Sequence, residues 1–364
     1  MKKIIILGIN YLTLKIEKLI DNNKCKIVAF ISDNPNNKGK YLNNIPVISL
    51  DEALTYFYDF IIVTNEVKPD KRLHDVLNLY EYINIFYDFE IYRAFFNLKN
   101  SFKNLEAFIT GISYLEVGID ASKLPFNTVN MAVSSQDLFY DYEIAKFILN
   151  SKKQENHIKY SFIGLAYYSF DYDLSKSSAG SRSYFYYPFL KTLHNYKDKH
   201  NLCTEFNVFD KIIQGLFKND YKTILFDLLR STPESNWANF VNGSLNEDKI
   251  KSGHDLAMRN FNKNYPLTEK ENILIFKNYI KLLKSNNITP IVVIAPTTEH
   301  YYKFLPKKLE DRFNFILGNI QKTENIKVLN YFRSNNYDNT DFYDVSHLNT
   351  KGTNKFTDAL ISNL

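Results

Sequence analysis

The stretch LEAFITGISYLEVGID, residues 105–120, carries three signals in one short run. EAFIT is a compact apolar segment, of the sort a strand buried on both faces requires. Gly111-Ile112-Ser113 then leaves that strand through a turn, and a helix follows the serine. Outward from here the same rhythm repeats through FNTVNMAVSSQDLFYDYEIAKFIL, IKYSFIGLAYYSFDYDL, NITPIVVIAPTTEHYY and IKVLNYF. HLNTKGTNKFTDALISNL closes the series with a last helix. Strands that alternate with helices predict a parallel sheet covered on both faces.

The N-terminal part has a βαβ rhythm of its own. KKIIILG is a continuous apolar run, and YLTLKIEKLIDNN carries Leu12, Ile16, Leu19 and Ile20 at helical spacing. KIVAFISDN reads as a second strand ending in Asp33, IPVISLDEALTYF as a short strand with a Ser49-capped helix, and DFIIVTN as another buried strand. These elements predict a Rossmann-like sheet. A dinucleotide fingerprint needs glycines for the tight turn, the pyrophosphate approach and the helix packing. Gly8 fills the first slot, but Asn10 and Thr13 hold the other two, which argues against tight NAD binding.

The expected organisation is therefore α/β throughout. A Rossmann-like domain spans 1–84, a helical connection spans 85–103, and a flavodoxin-like three-layer α/β/α domain spans 104–364. Two stretches break the second series, near 175–188 (SKSSAGSRSYFYYP) and 200–270, and segments of this kind are usually lids, binding loops or helical inserts.

At 364 residues and 45% hydrophobic content, the chain can bury sizeable cores. Its net charge of +5 comes from interleaved acids and bases without a dense Lys/Arg stripe, so no nucleic-acid partner is implied. Cys25 and Cys203 stand far apart without metal-type spacing, so neither a disulfide framework nor a zinc site is read from them. The N-terminal apolar run is too short for a signal peptide, and no stretch approaches the ~20 apolar residues of a membrane span. A cytoplasmic protein is expected, and no metal is assigned.

Ligands of open parallel sheets bind beyond the carboxyl ends of the strands. Four places there carry candidate groups: Gly111–Ser113, the run Asn130 to Ser135 with Ala132 and Ser134, Gly164 with its neighbours, and Asp344-Val345-Ser346-His347. A serine hydroxyl is a poor nucleophile until a histidine removes its proton and a carboxylate orients that histidine. Backbone N–H groups must also stabilise the oxyanion, at roughly 3 kcal/mol per donor. Gly-x-Ser supplies the serine, and the terminal Asp-x-x-His supplies base and orienter from one loop. Set against this, Ser113 can simply cap its helix and His347 can simply bond at the start of the last one.

This order of blocks, Gly-x-Ser, an Asn/Gly-type turn, a Gly-containing third strand end, then Asp-x-x-His-x-x-x-x-Gly, resembles the SGNH (GDSL-like) hydrolase superfamily over about 105–364. That superfamily holds esterases, lipases, carbohydrate deacetylases and some acyl transferases. DFYDVSHLNTKGTNKFTDAL also resembles the proteins of D-alanyl transfer in teichoic acid synthesis. The resemblance implies Ser113 as nucleophile, His347 as base and Asp344 as its orienter, with the Ser113 amide and Ala132 at the oxyanion. Three positions depart from the pattern: Ile112 replaces an acid, Ala132 replaces a glycine, and Gly164-Leu165-Ala166-Tyr167 lacks the third-block asparagine. That third donor is then either missing or supplied from elsewhere, by Asn130 or Ser134.

The run through FISDNPNNKGKYLNNIPVISLDEAL resembles the N-terminal module of bacterial sugar O- and N-acyltransferases. It implies a nucleotide-sugar site at Gly8, Asn10 and Asp33, against a module that serves only as scaffold or docking domain. Arg182 is the candidate for holding an anionic substrate group, against a solvated arginine. The YFYYPF run (184–189) can stack on sugar rings or pack inside. His254, Arg259 and Glu299 stand in or beside the interruptions without an assigned role. The expected activity is serine-dependent acyl hydrolysis or transfer on a carbohydrate in surface-polysaccharide biosynthesis. It needs no cofactor for hydrolysis and an acyl donor such as acetyl-CoA for transfer. The other reading is a non-catalytic protein that binds a nucleotide-sugar or glycan.

Overall fold

The structure is a computed structural model of the chain. It describes residues 1–32, 34–64, 81–84, 101–151, 157–195, 216–218, 243–263 and 267–364, with positions 76, 91, 94, 95, 97–99 and 265 between them. Contacts divide the chain into two compact units. The first comprises Met1–Arg93 and Asp198–Thr232, and the second Ala94–Lys197 and Pro233–Leu364. The division is not linear, as an antiparallel bridge from Ile20 to Phe217 illustrates within the first unit.

The first unit holds β1 (Lys2–Leu7), α1 (Tyr11–Leu19), β2 (Cys25–Ile31), β3 (Tyr41–Leu42), β4 (Ile45–Ile48), α2 (Leu50–Ala53), β5 (Phe60–Val63) and β6 (Glu81–Asn84). Its sheet runs β3-β4-β2-β1-β5-β6, parallel except for the β3–β4 hairpin. Ile4, Ile5, Ile6, Phe60, Ile61 and Ile62 are almost wholly buried, as strands covered on both faces must be. Ser49 caps α2 reciprocally with Glu52, as its position predicts, although that helix is only four residues long.

Asp33 lies outside the described residues. Of the expected connection over 85–103, Ile91, Ala94, Phe95 and 97–99 are helical, and a 3₁₀ turn covers Phe102–Asn104.

The second unit contains β7 (Ala107–Thr110), α3 (Ser113–Gly118), β8 (Thr128–Asn130), α4 (Leu138–Ser151), β9 (Tyr160–Gly164) and α5 (Ser183–Leu190). It continues with α6 (Glu247–Lys251), α7 (Gly253–Phe261), α8 (Thr268–Ser285) and β10 (Thr289–Ile294). It ends with α9 (Glu299–Tyr302), α10 (Lys307–Glu324), β11 (Lys327–Asn330) and α11 (Thr350–Ile361). All pairs in its sheet are parallel, in the order β11-β10-β9-β7-β8. The order turns back between β7 and β9, and that is where a doubly wound sheet opens a crevice at its carboxyl edge.

Two glycines shape this crevice. Gly111 has φ +133°, and a Cβ there would lie 2.8 Å from the Cα of Gly164. A Cβ on Gly164 would in turn lie 2.6 Å from Leu115. Bare backbone at both positions lets the turn after β7 press against the end of β9. The expected insertion near 175–188 is a chain of 3₁₀ turns leading into α5, while of the second insertion α6 and α7 are described. Among the described residues, no helix is long and apolar enough to cross a membrane.

Candidate active site

Ser113 is the first residue of α3, immediately beyond the crevice turn. Its Oγ stands 2.8 Å from His347 Nε2, across 234 positions of sequence. On the other side of the ring, His347 Nδ1 lies 2.9 Å from Asp344 Oδ2 and 3.1 Å from Oδ1. A carboxylate only accepts, so Nδ1 carries the ring proton and Nε2 presents its lone pair to the serine. All three side chains are half-buried, which leaves the site open at the sheet edge.

The Asp344–His347 loop is built by local bonds. Asp344 Oδ1 accepts from the N–H groups of Ser346 (2.8 Å) and His347 (2.9 Å). Asn349 caps α11 by accepting from Gly352 N–H at 3.1 Å, while its amide donates to Thr340 O at 2.8 Å. Gly352 permits this closure, because a Cβ there would lie 2.0 Å from the carbonyl of Asp341. Thr298 Oγ donates to Val345 O at 2.7 Å, tying the loop to the start of α9.

Burial pushes the Asp344 carboxyl up, but the pairing with His347 and the two loop N–H groups win and hold it at about 2. Burial alone would lower His347, whereas the carboxylates of Asp344 and Glu116 together raise it above the ordinary histidine value. Glu116, one turn after Ser113 on α3, was not singled out by sequence. Its Oε2 accepts from Ser134 N–H (2.7 Å) and Ser134 Oγ (2.8 Å). The i,i+3 spacing from Ser113, which puts both on one helix face, was the available signal.

The other predicted donors are placed near the turn but have other partners. Ala132 N–H donates to Asn130 Oδ1 at 3.0 Å, and Asn130 Nδ2 donates to Leu115 O at 2.9 Å. Gly111 N–H bonds the buried Asp141, whose carboxyl burial pushes up to about 8. Ala166 N–H donates to Ser169 Oγ at 2.9 Å, and Gly164 serves packing. Of the two alternatives for the absent third-block donor, Asn130 and Ser134 are both committed to the α3 loop. What remains is Ser113 N–H, in the first turn of α3, where N–H groups have no acceptor within their own helix.

Arg182 is not solvated as the alternative reading had it. It is 4% exposed and acts on the hydroxyls of Tyr172 and Tyr186. Tyr186 of the YFYYPF run is buried, its hydroxyl donating to Gln136 Oε1 at 2.8 Å. A tyrosine cluster that sequence did not reveal lies beside the site. The Tyr114 ring sits 5.2 Å from that of His347, and its hydroxyl bonds Tyr301 (2.9 Å) and Tyr168. Lys263 Nζ lies over the rings of Tyr168 (4.2 Å) and Tyr172 (4.4 Å), and burial pushes its ammonium down to about 7.

In the first unit, Gly8 has φ +118°, and the Asn10 side chain bonds both its own helix and Thr64. Asn10 Oδ1 accepts from Thr13 N–H at 3.0 Å, and its amide donates to Thr64 O at 2.7 Å. Thr13 and Thr64 hydroxyls meet at 2.8 Å, which ties the start of α1 to the end of β5.

A family profile described as C2185-like, N-terminal matches residues 1–79. No curated protein matches the chain. Among solved structures, the chain is similar to a Bacteroides fragilis protein described as a candidate acylhydrolase, with 10% identity and a TM-score of 0.36. That match covers 73% of this chain and 91% of the other. It is also similar to a GDSL-like lipase from Bacteroides thetaiotaomicron, with 11% identity and a TM-score of 0.34, covering 76% of this chain and 97% of that one.

Proposed function

We propose that the second unit is a serine acyl hydrolase or acyltransferase of the SGNH (GDSL-like) type, with Ser113, His347 and Asp344 as its triad. The observation that carries this is the continuous relay Ser113 Oγ–His347 Nε2–His347 Nδ1–Asp344, at 2.8 and 2.9 Å. The flavodoxin-like strand order β8-β7-β9-β10-β11, with the serine at its switch point, supports the same reading. In it, His347 Nε2 takes the Ser113 proton while Oγ bonds the acyl carbon and the carbonyl electrons move to oxygen. Ser113 N–H faces that oxyanion. Collapse expels the alcohol, which leaves with the proton from Nε2. Water or a sugar hydroxyl then attacks the acyl-serine and loses its proton to His347, and the second collapse breaks the Oγ–acyl bond as Ser113 Oγ takes that proton back.

As substrate we propose an O-acyl ester of a carbohydrate of surface polysaccharides, with acetyl-CoA as the donor class if transfer prevails. The Rossmann-like first unit would hold a nucleotide-sugar, and the setting would be cytoplasmic. The test is a fluorophosphonate probe, which forms a bond only with an activated serine. Ser113 is expected to be labelled, and Ser113→Ala to abolish labelling. An unlabelled, well-folded protein would sink the reading.

One observation favours the second reading, a non-catalytic carbohydrate binder. The N–H groups of Gly111, Ala132, Ser134 and Ala166 all have intramolecular acceptors, which leaves a thin oxyanion site. Removing one donor costs about 10²–10³ in turnover, so low turnover with intact labelling fits catalysis with one donor, and no labelling fits the binder.

A further inference from the structure

Apart from the triad, Asp137, Asp173 and His194 converge, and all three are buried. One ligand atom from each lies within 4.8 Å of the others. His194 Nδ1 is 3.0 Å from Asp137 Oδ2 and 3.2 Å from Asp173 Oδ1. Donors bound at ~2.1 Å to one ion and at right angles stand ~3.0 Å apart, which the two distances from Nδ1 match. We propose that Asp137, Asp173 and His194 bind a divalent first-row metal ion, Zn²⁺ or Mn²⁺, that clamps the segment after α5 to the loops after β8 and β9.

Two carboxylates and an imidazole match that class of ion rather than a thiolate-seeking or all-oxygen one. The surroundings point the same way independently. A metal-bound imidazole normally has a carboxylate at its far nitrogen, and bound carboxylates are themselves held by hydrogen bonds. His194 Nε2 is buried, makes no hydrogen bond, and faces Glu271 Oε1 at 3.4 Å. Asn195 Nδ2 bridges Glu271 Oε2 (2.6 Å) and Asp173 Oδ2 (3.2 Å). Asp137 is fixed by the N–H groups of Leu174 (2.8 Å) and Tyr140 (3.1 Å).

Lys176 occupies Asp173 Oδ2 at 3.0 Å, and Ser175 donates to Oδ1, so the ion meets Asp173 on the side of Oδ1 that faces His194. The Phe139 ring stacks on the imidazole with centroids 4.4 Å apart and shields it from water. The proposal does not depend on the serine chemistry.

Tag-free full-length protein, stripped with EDTA, is titrated with Zn²⁺ or Mn²⁺, desalted and analysed for metal content. Close to one ion per chain is expected, with a thermal midpoint raised by on the order of 5 °C. His194→Gln and Asp173→Asn are expected to lose both effects, while Ser113→Ala keeps them. Pulsed EPR of Mn²⁺-loaded wild type needs no variant, and coupling to an imidazole nitrogen is expected. No retained ion, or a retained ion without nitrogen coupling, overturns the proposal and leaves the cluster an ion-pair lock.

Discussion

The hydroxyl of Thr353 donates to the carbonyl of Val117 at 2.7 Å, and this bond joins the helices that carry the two ends of the relay. Asp120 N–H adds a second tie to Thr357 Oγ at 3.0 Å, and Gly118 packs against Phe356 and Leu348. Ser113 stands at the start of α3 and His347 just before α11, so their 2.8 Å contact follows from how the two helices dock. Thr353→Val keeps the shape and removes the donor. It is expected to cost about 1 kcal/mol of stability and to lower the fluorophosphonate labelling rate about tenfold without abolishing it. An unchanged labelling rate would show that the docking is held without this bond.

The relay itself gives a graded series. Ser113→Ala and His347→Gln are expected to reduce ester turnover by about 10³-fold or more each, with the double variant no worse than either single, because the residues act as one unit. Additive losses in initial-rate measurements would contradict a shared step.

The proposed serine chemistry requires His347 neutral, so the rate of labelling is expected to rise with pH through a value above 6.5, the direction in which Asp344 and Glu116 shift the ring. Glu116→Gln removes one of those charges and should move this limb to lower pH. A pH–rate profile on both proteins checks the sign. Asp344 adds an acid-side effect on stability: a carboxyl held near 2 contributes stability above its usual 3.8 that is lost as pH falls toward 2.

Lys263 is a cation held over two tyrosine rings, pushed by burial to about 7 from 10.5. Folding therefore opposes its charge at neutral pH, and stability on this account rises as pH climbs from 7 to 10.5. Lys263→Met is expected to raise the thermal midpoint at pH 7, with a smaller gain at pH 10. A loss at pH 7 would mean that the contacts with Tyr168 and Tyr172 outweigh desolvation.

Gly111→Ala meets both a left-handed φ of +133° and the Gly164 backbone. A loss of about 2–4 kcal/mol in denaturant unfolding is expected. A neutral result would show that the crevice backbone can yield.

Much of the architecture was legible in the chain. The apolar runs of β1, β5, β7, β9 and β10 mark strands buried on both faces, and each coincides with a strand of the two sheets. The sequence singles out Ser113 and the Asp344–His347 pair because reactive groups just past strand ends are few, and the fold brings these side chains within hydrogen-bonding distance. The fate of the N–H groups was not. Asn130, Ala132 and Ser134 were the right residues to inspect, but whether an N–H points outward or to a neighbour depends on side chains such as Glu116 and Asn130 folding back.

Local patterning, then, set which segments become strands and helices, since burial of apolar runs and capping act within a few residues. Tertiary structure alone decided the rest. It brought His347 to Ser113 through the α3–α11 contact, buried Arg182 beside Tyr172 and Tyr186, and gathered Asp137, Asp173 and His194 from three segments. Those outcomes depend on contacts between distant parts of the chain, whose distances no local spacing encodes.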